Sequence, residues 1–296
     1  MNKRHLVTVL GWEDRFIEGF KIILKEYQLN EITLIRFVDY LSMGTMEENE
    51  VLFSSLSESH NIKINFLDLE YNDSVANWKN LNDFFLKNYL EKILLNITTI
   101  PRETIWALLF HFKKKNKSIE YIYFKPEAYH KGWLTKNHKE PRLLFKHSGV
   151  FDLEKKLVLI VITGFDESRL RQLIDYYEPD KLIILSQEGD QFSNSNRNRS
   201  MLLKNDDIEI SEIEIDSYCI SDASKLLAIE IEKNRDFNII LASQGPKTSA
   251  LSTYNIYLKY KDKLGLAYVP ARDFHSHYSK GINRELIKGT FYFNSP

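Results

Sequence analysis

The 296-residue chain has a single cysteine, Cys219, which excludes an internal disulfide and any zinc site built on cysteine pairs. Its flanks, DSYCIS, read as structural. Net charge is lacking too: 40 Lys and Arg stand against 41 Asp and Glu, leaving −1. Coating nucleic acid takes accumulated positive charge against the phosphates, so bulk nucleic-acid binding is not expected. A small basic pocket is compatible with that total. No apolar run reaches the roughly 18 residues of a membrane span. The amino terminus, MNKRHLVTVLGWEDRF, offers only a short apolar run before charges resume, too little for a signal peptide. A cytoplasmic protein without membrane contact is the expectation. No G-x-G-x-x-G, P-loop, HExxH or Ser-His-Asp order occurs. His130, His138 and His147 lack metal-ligand spacing, so neither metal nor cofactor is expected.

What is present is a regular alternation of apolar strands and amphipathic helices, in a chain 43% hydrophobic and 27% charged. The first half predicts strands over 6–10, 32–37, 62–69, 93–98 and 119–124. Helices follow Gly11 and fill 75–90 and 101–113, with a polar, acidic loop over 38–50. The second half predicts strands over 156–163, 181–186, 208–215, 237–243 and 264–269, and helices over 167–177, 221–233 and 246–260. A long loop at 187–206 carries Arg197 and Arg199. This is the α/β pattern of parallel sheets covered by helices, here two tandem Rossmann-like units.

Residue matches make the halves an internal duplication. VLGWEDRF (9–16) aligns with ITGFDESRL (162–170), placing Gly11 on Gly164, Trp12 on Phe165 and Glu13 on Asp166. NITTIPRETIW (96–106) aligns with LASQGPKTSAL (241–251), placing Pro101 on Pro246 and Arg102 on Lys247. IEYIYFKPEAY (119–129) aligns with LGLAYVPARDF (264–274). The expected division is 1–148 for unit 1 and 149–296 for unit 2, with 130–157 as a linker that has room for a short hairpin.

The richest candidate site is the strand-to-helix turn of unit 2. Proline suits a helix start because its missing N–H would be unsatisfied there anyway. Gly245 permits close backbone approach, and free amides at the helix start favour an anion. Lys247 adds charge; Thr248 and Ser249 add hydroxyls. In unit 1 the corresponding turn offers Thr99, Arg102 and Thr104, with arginine able to grip phosphate bidentately and Thr99 placed to cap the helix. The turns after each first strand put acids where a phosphate would sit, and read as helix caps, or as platforms where Trp12 and Phe165 stack on a base. Arg272, His275 and His277 follow the last strand, Arg272 as a ligand contact and the histidines as acid–base candidates. Their spacing matches an Arg-x4-His nuclease pattern only superficially, since that pattern needs a helical setting.

GPKTSALS (245–252), after a buried strand, resembles the turn of the CARF superfamily and its related SAVED proteins. The resemblance covers the element order of both halves and a few motif residues. It implies Rossmann-like sensors that bind cyclic oligonucleotides across a groove made by two copies. By it, Gly245, Lys247 and Thr248 contact ligand in unit 2, with Arg102 and Thr104 opposite and Trp12 and Phe165 lining the groove. Pro246 stands where the family often has threonine, and unit 1 lacks the glycine. Three functions follow as expectations: a nucleotide or cyclic-oligonucleotide sensor in bacterial antiviral defence, signalling to a separate effector protein; a phosphodiesterase or ring-cleaving nuclease; or a scaffold subunit whose ligand site has decayed.

Overall fold

The computed structural model describes residues 3–187, 208–283 and 285–293, so the predicted loop with Arg197 and Arg199 lies outside the described residues. Two compact units emerge: residues 1–131 with 275–296, and residues 132–274.

Unit 1 is built on five parallel strands, β1 (Arg4–Val9), β2 (Leu29–Phe37), β3 (Lys63–Leu69), β4 (Ile93–Asn96) and β5 (Ser118–Phe124). Four helices connect them: α1 (Asp14–Glu26), α2 (Met46–Ser59), α3 (Ser74–Lys87) and α4 (Arg102–Lys113). The first of these carries Asp14 in its first turn, a charge that opposes the helix dipole, and Lys25 beside Glu26 in its last. Its Phe16, Phe20 and Ile23 recur at helical spacing and are buried against Leu6, Ile32 and Leu94 of the sheet. Phe53 of α2 closes the same core, stacked 5.1 Å from Phe16 and 4.0 Å from Phe20. That helix begins within the segment expected to be a polar loop. Its buried residues are only Met46, Phe53 and Ser57, too sparse a stripe to reveal a helical period.

Unit 2 repeats the plan with β9 (Leu157–Ile162), β10 (Lys181–Gln187), β11 (Glu209–Ile215), β12 (Asn238–Ser243) and β13 (Leu264–Tyr268). Its described helices are α5 (Glu167–Tyr177), α6 (Ile220–Lys233) and α7 (Lys247–Tyr260). Leu159, Val161, Leu170, Leu173, Leu182 and Ile240 form its core.

Both sheets run in the same order: third, second, first, fourth and fifth strand, then an antiparallel sixth. That sixth strand moves the expected boundary at 148/149. Beside β5 lies β16 (Leu286–Tyr292), from the chain's far end, paired in register over seven residues. Beside β13 lies β8 (Arg142–Leu143), from the segment expected to be linker. An uncovered edge strand leaves a row of unpaired backbone groups, and each sheet is closed by a strand from the segment that follows the other unit's fifth strand. The short strands follow the same rule. In unit 1, β6 (Ala128–Tyr129) pairs with β15 (Ser279–Lys280); in unit 2, β7 (Thr135–His138) pairs with β14 (Ala271–Phe274). Residues 130–157 therefore form no hairpin of their own.

Candidate functional site

In each sheet the first strand has the fourth on one side and the second on the other, so the connections leave in opposite directions. The carboxyl ends of the first and fourth strands mark the topological switch point, where open α/β sheets take ligands. The predicted turns meet there.

In unit 2, Gly164 after β9 packs against the turn after β12. A Cβ on Gly164 would lie 2.1 Å from the Gln244 carbonyl oxygen, so glycine is dictated by backbone contact. Gly245 is tight as well: its Cβ would meet Ile162 at 3.0 Å and Ser249 Oγ at 3.3 Å. Pro246 occupies the N-cap of α7. Lys247 is half-buried just inside the helix. Thr248 is fully buried, and its hydroxyl has no hydrogen-bond partner among the described residues. Ser249 was expected to offer its hydroxyl to a ligand. Instead it is fully buried, donating to the Pro246 carbonyl at 2.6 Å and lying 2.6 Å from Ser243 Oγ, which fastens the turn to β12.

Unit 1 repeats this contact with different chemistry. A Cβ on Gly11 would lie 2.5 Å from the Thr99 methyl. Thr99 does not cap the helix as expected: Pro101 is the N-cap of α4, and the Thr99 hydroxyl donates to the Val9 carbonyl at 2.6 Å. The reason is geometric, since two residues separate Thr99 from the helix start. Thr98 is likewise spent, donating to Asn96 Oδ1 at 2.6 Å and accepting from the Phe124 amide. Arg102 is half-buried and Thr104 buried at 8% exposure.

The acids that follow each first strand turn inward. Glu13 is 8% exposed and binds the buried Arg15, whose guanidinium also donates to the Phe124 carbonyl at 2.9 Å. Ser279 of β15 donates to the same Glu13 carboxylate. In unit 2, Asp166 accepts from Thr135 of β7, with His138 Nε2 at 3.0 Å and Arg169 Nε at 3.5 Å. Burial pushes the Asp166 carboxyl up, but contacts with His138, Arg169, Ser168 and Thr135 outweigh it and hold it well below the usual range. Capping was expected of both acids. Asp166 does cap α5 through the Ser168 amide at 3.2 Å, whereas Glu13 makes no cap bond because Arg15 claims it. These acids anchor short strands, and that role was not legible in the sequence.

Trp12 is half-buried, its ring edge-on to Tyr278 at 6.5 Å and its carbonyl accepting from Thr45. Phe165 is half-buried in unit 2. The last candidates separate: Arg272, exposed on β14, belongs to unit 2, while His275 and His277 belong to unit 1. His275 stacks on His130 at 3.8 Å and accepts from the His277 amide. His277 lies in a turn, without the helix that the Arg-x4-His pattern requires. Among the described residues no cluster of three metal-binding side chains occurs, and no helix is long and apolar enough to cross a membrane.

No protein-family profile matches the chain, and no curated protein does. Among solved structures, the fold is similar to a type III CRISPR defence DNA nuclease activated by cyclic oligoadenylate, with a TM-score of 0.56 at 9% identity. The match covers 88% of this chain and 65% of that one, so the chain spans about two thirds of that structure's length. Csm6 of Enterococcus italicus, bound to a cyclic hexa-adenylate analogue, overlaps 38% of this chain at 18% identity, with a TM-score of 0.29 that carries no weight for the fold.

Proposed function

We propose that the chain is a CARF-like sensor for cyclic oligonucleotides in antiviral defence, built by internal duplication and acting on a separate effector protein. The observation that carries this reading is the turn from Gly245 to Thr248. The half-buried Lys247 opens α7 directly after the Pro246 cap, so a cation and the free amides of a helix start lie together, while the fully buried Thr248 hydroxyl meets a ligand only where the turn opens. Lys247 and the start of α7 supply positive charge at the same place. The fold likeness to a cyclic-oligoadenylate-activated nuclease supports the ligand class. Duplication is supported by the common strand order, the paired glycine contacts, the acid–arginine pairs and the reciprocal strand exchange.

Unit 2 is the stronger binder in this reading. The unit 1 hydroxyls Thr98 and Thr99 are already engaged within the protein, leaving Arg102 as its main contribution. Thermal unfolding tests the proposal. Saturating cyclic oligoadenylate at about a hundred times its Kd adds about 2.7 kcal/mol to stability and raises the melting temperature by several degrees. No shift with any cyclic or linear oligoadenylate at high micromolar concentration refutes the sensor reading.

A further inference from the structure

Unit 2 assembles a serine, a histidine and an aspartate that no order in the sequence announces. His138 ends β7, Asp166 caps α5, and Ser168 lies in the first turn of that helix. His138 Nε2 is 3.0 Å from Asp166 Oδ2, and its Nδ1 is 3.2 Å from Ser168 Oγ. Thr135 Oγ1 lies 2.9 Å from the same Nε2 and donates to Asp166, fixing the carboxylate from a second side. His138 is 9% exposed and Asp166 20% exposed, whereas Ser168 faces solvent.

The corresponding cluster in unit 1 shows what a purely structural version needs. There an acid, an arginine and a hydroxyl suffice: Glu13, Arg15 and Ser279, all no more than 8% exposed. Unit 2 keeps all three functions in Asp166, Arg169 and Thr135, then adds His138 and Ser168. Aligning GWEDRF with GFDESRL leaves Ser168 as the extra residue. An anchor gains little from an exposed hydroxyl beside a histidine, but a nucleophile needs both.

We infer that Ser168, His138 and Asp166 form a nucleophilic site that hydrolyses small carboxylic esters. The Ser168 hydroxyl has one proton and two acceptors. Donation to Asp166 Oδ1, 2.5 Å away, holds it at rest, while donation to His138 Nδ1 arms it. Ser168 Oγ attacks the ester carbonyl carbon and its proton passes to His138 Nδ1. The bond from that carbon to the leaving alkoxide breaks, and His138 returns the proton to the alkoxide. Water repeats the sequence, releasing the carboxylic acid and restoring Ser168. Asp166 accepts from Nε2–H, sets the tautomer and stabilises the imidazolium between the steps. The amino end of α5 favours the oxyanion.

The test of this site needs no nucleotide. The full chain is treated with a fluorophosphonate reporter, which loses fluoride as a Ser Oγ–P bond forms, and the modified peptide is located by mass spectrometry. The expected result is one label on Ser168, lost in Ser168→Ala and slowed about a hundredfold in His138→Gln. p-Nitrophenyl acetate should give a burst of nitrophenol equal to the protein present. Circular dichroism establishes that both variants are folded. Should His138→Gln unfold, the wild-type label and Ser168→Ala decide the matter alone. Absence of label on the wild-type chain, or label at another residue that survives Ser168→Ala, overturns the proposal and leaves the cluster as a hydrogen-bonded anchor.

Discussion

Gly164 and Gly11 occupy matching positions but differ in what a methyl group would meet. At Gly164 it is the backbone oxygen of Gln244, which cannot yield without moving the turn. Gly164→Ala should therefore cost about 3 kcal/mol in urea unfolding, the upper part of the overpacking range. At Gly11 the obstacle is the Thr99 side chain, whose methyl can rotate at the expense of one hydrogen bond while its Cβ at 2.9 Å must shift slightly, so Gly11→Ala should cost about 1–2 kcal/mol. Titration gives two further residue-scale expectations with separate windows. Burial lowers His5 from 6.5 to about 4, against the pull of Glu31, so the folded state prefers neutral imidazole. The unfolded chain then binds more protons, and stability falls as pH drops from 6.5 through 4; His5→Gln should flatten that slope in urea midpoints. Asp166 is depressed below its ordinary 3.8, so its contribution is complete above that value and lost as pH falls further. Asp166→Asn should remove that acid limb. The sequence made the glycines visible as a repeated pair, but the inward direction of Glu13 and Asp166 depended on partners over 250 and about 30 residues away in the chain.

At the scale of elements, the inner parallel strands of both sheets were legible because strands buried on both faces are continuous apolar runs. The helix α2 was not, since one aromatic, Phe53, supplies most of its packing. Phe53→Ala should cost about 3–5 kcal/mol, measured by chemical unfolding, despite lying in a segment that reads as polar. Strands β6, β7, β8, β14 and β15 were also hidden: each has two to four residues, too few to display a period. Strand β16 has seven, yet nothing local says that its partner is β5. Removing residues 285–296 should bare β5, whose Tyr121 and Tyr123 sit in an apolar run, and yield soluble aggregates on size-exclusion chromatography.

For the whole molecule, the reciprocal exchange interleaves the two units along the chain. A fragment of residues 1–148 lacks β15 and β16, and a fragment of residues 149–296 lacks β7 and β8. Each expressed alone should be unfolded or aggregated by circular dichroism and light scattering, while co-expression restores a soluble pair. A duplicated pair of independent domains would instead give two folded fragments. The functional claim rests on the turn at the start of α7, and isothermal titration of cyclic oligoadenylate into the wild-type chain and Lys247→Ala tests it most directly. A charged hydrogen bond is worth about 1.5–3 kcal/mol, so the variant should bind roughly 10- to 150-fold more weakly, with circular dichroism establishing that it is folded. Equal affinity in both proteins, or no heat of binding in either, would contradict the account.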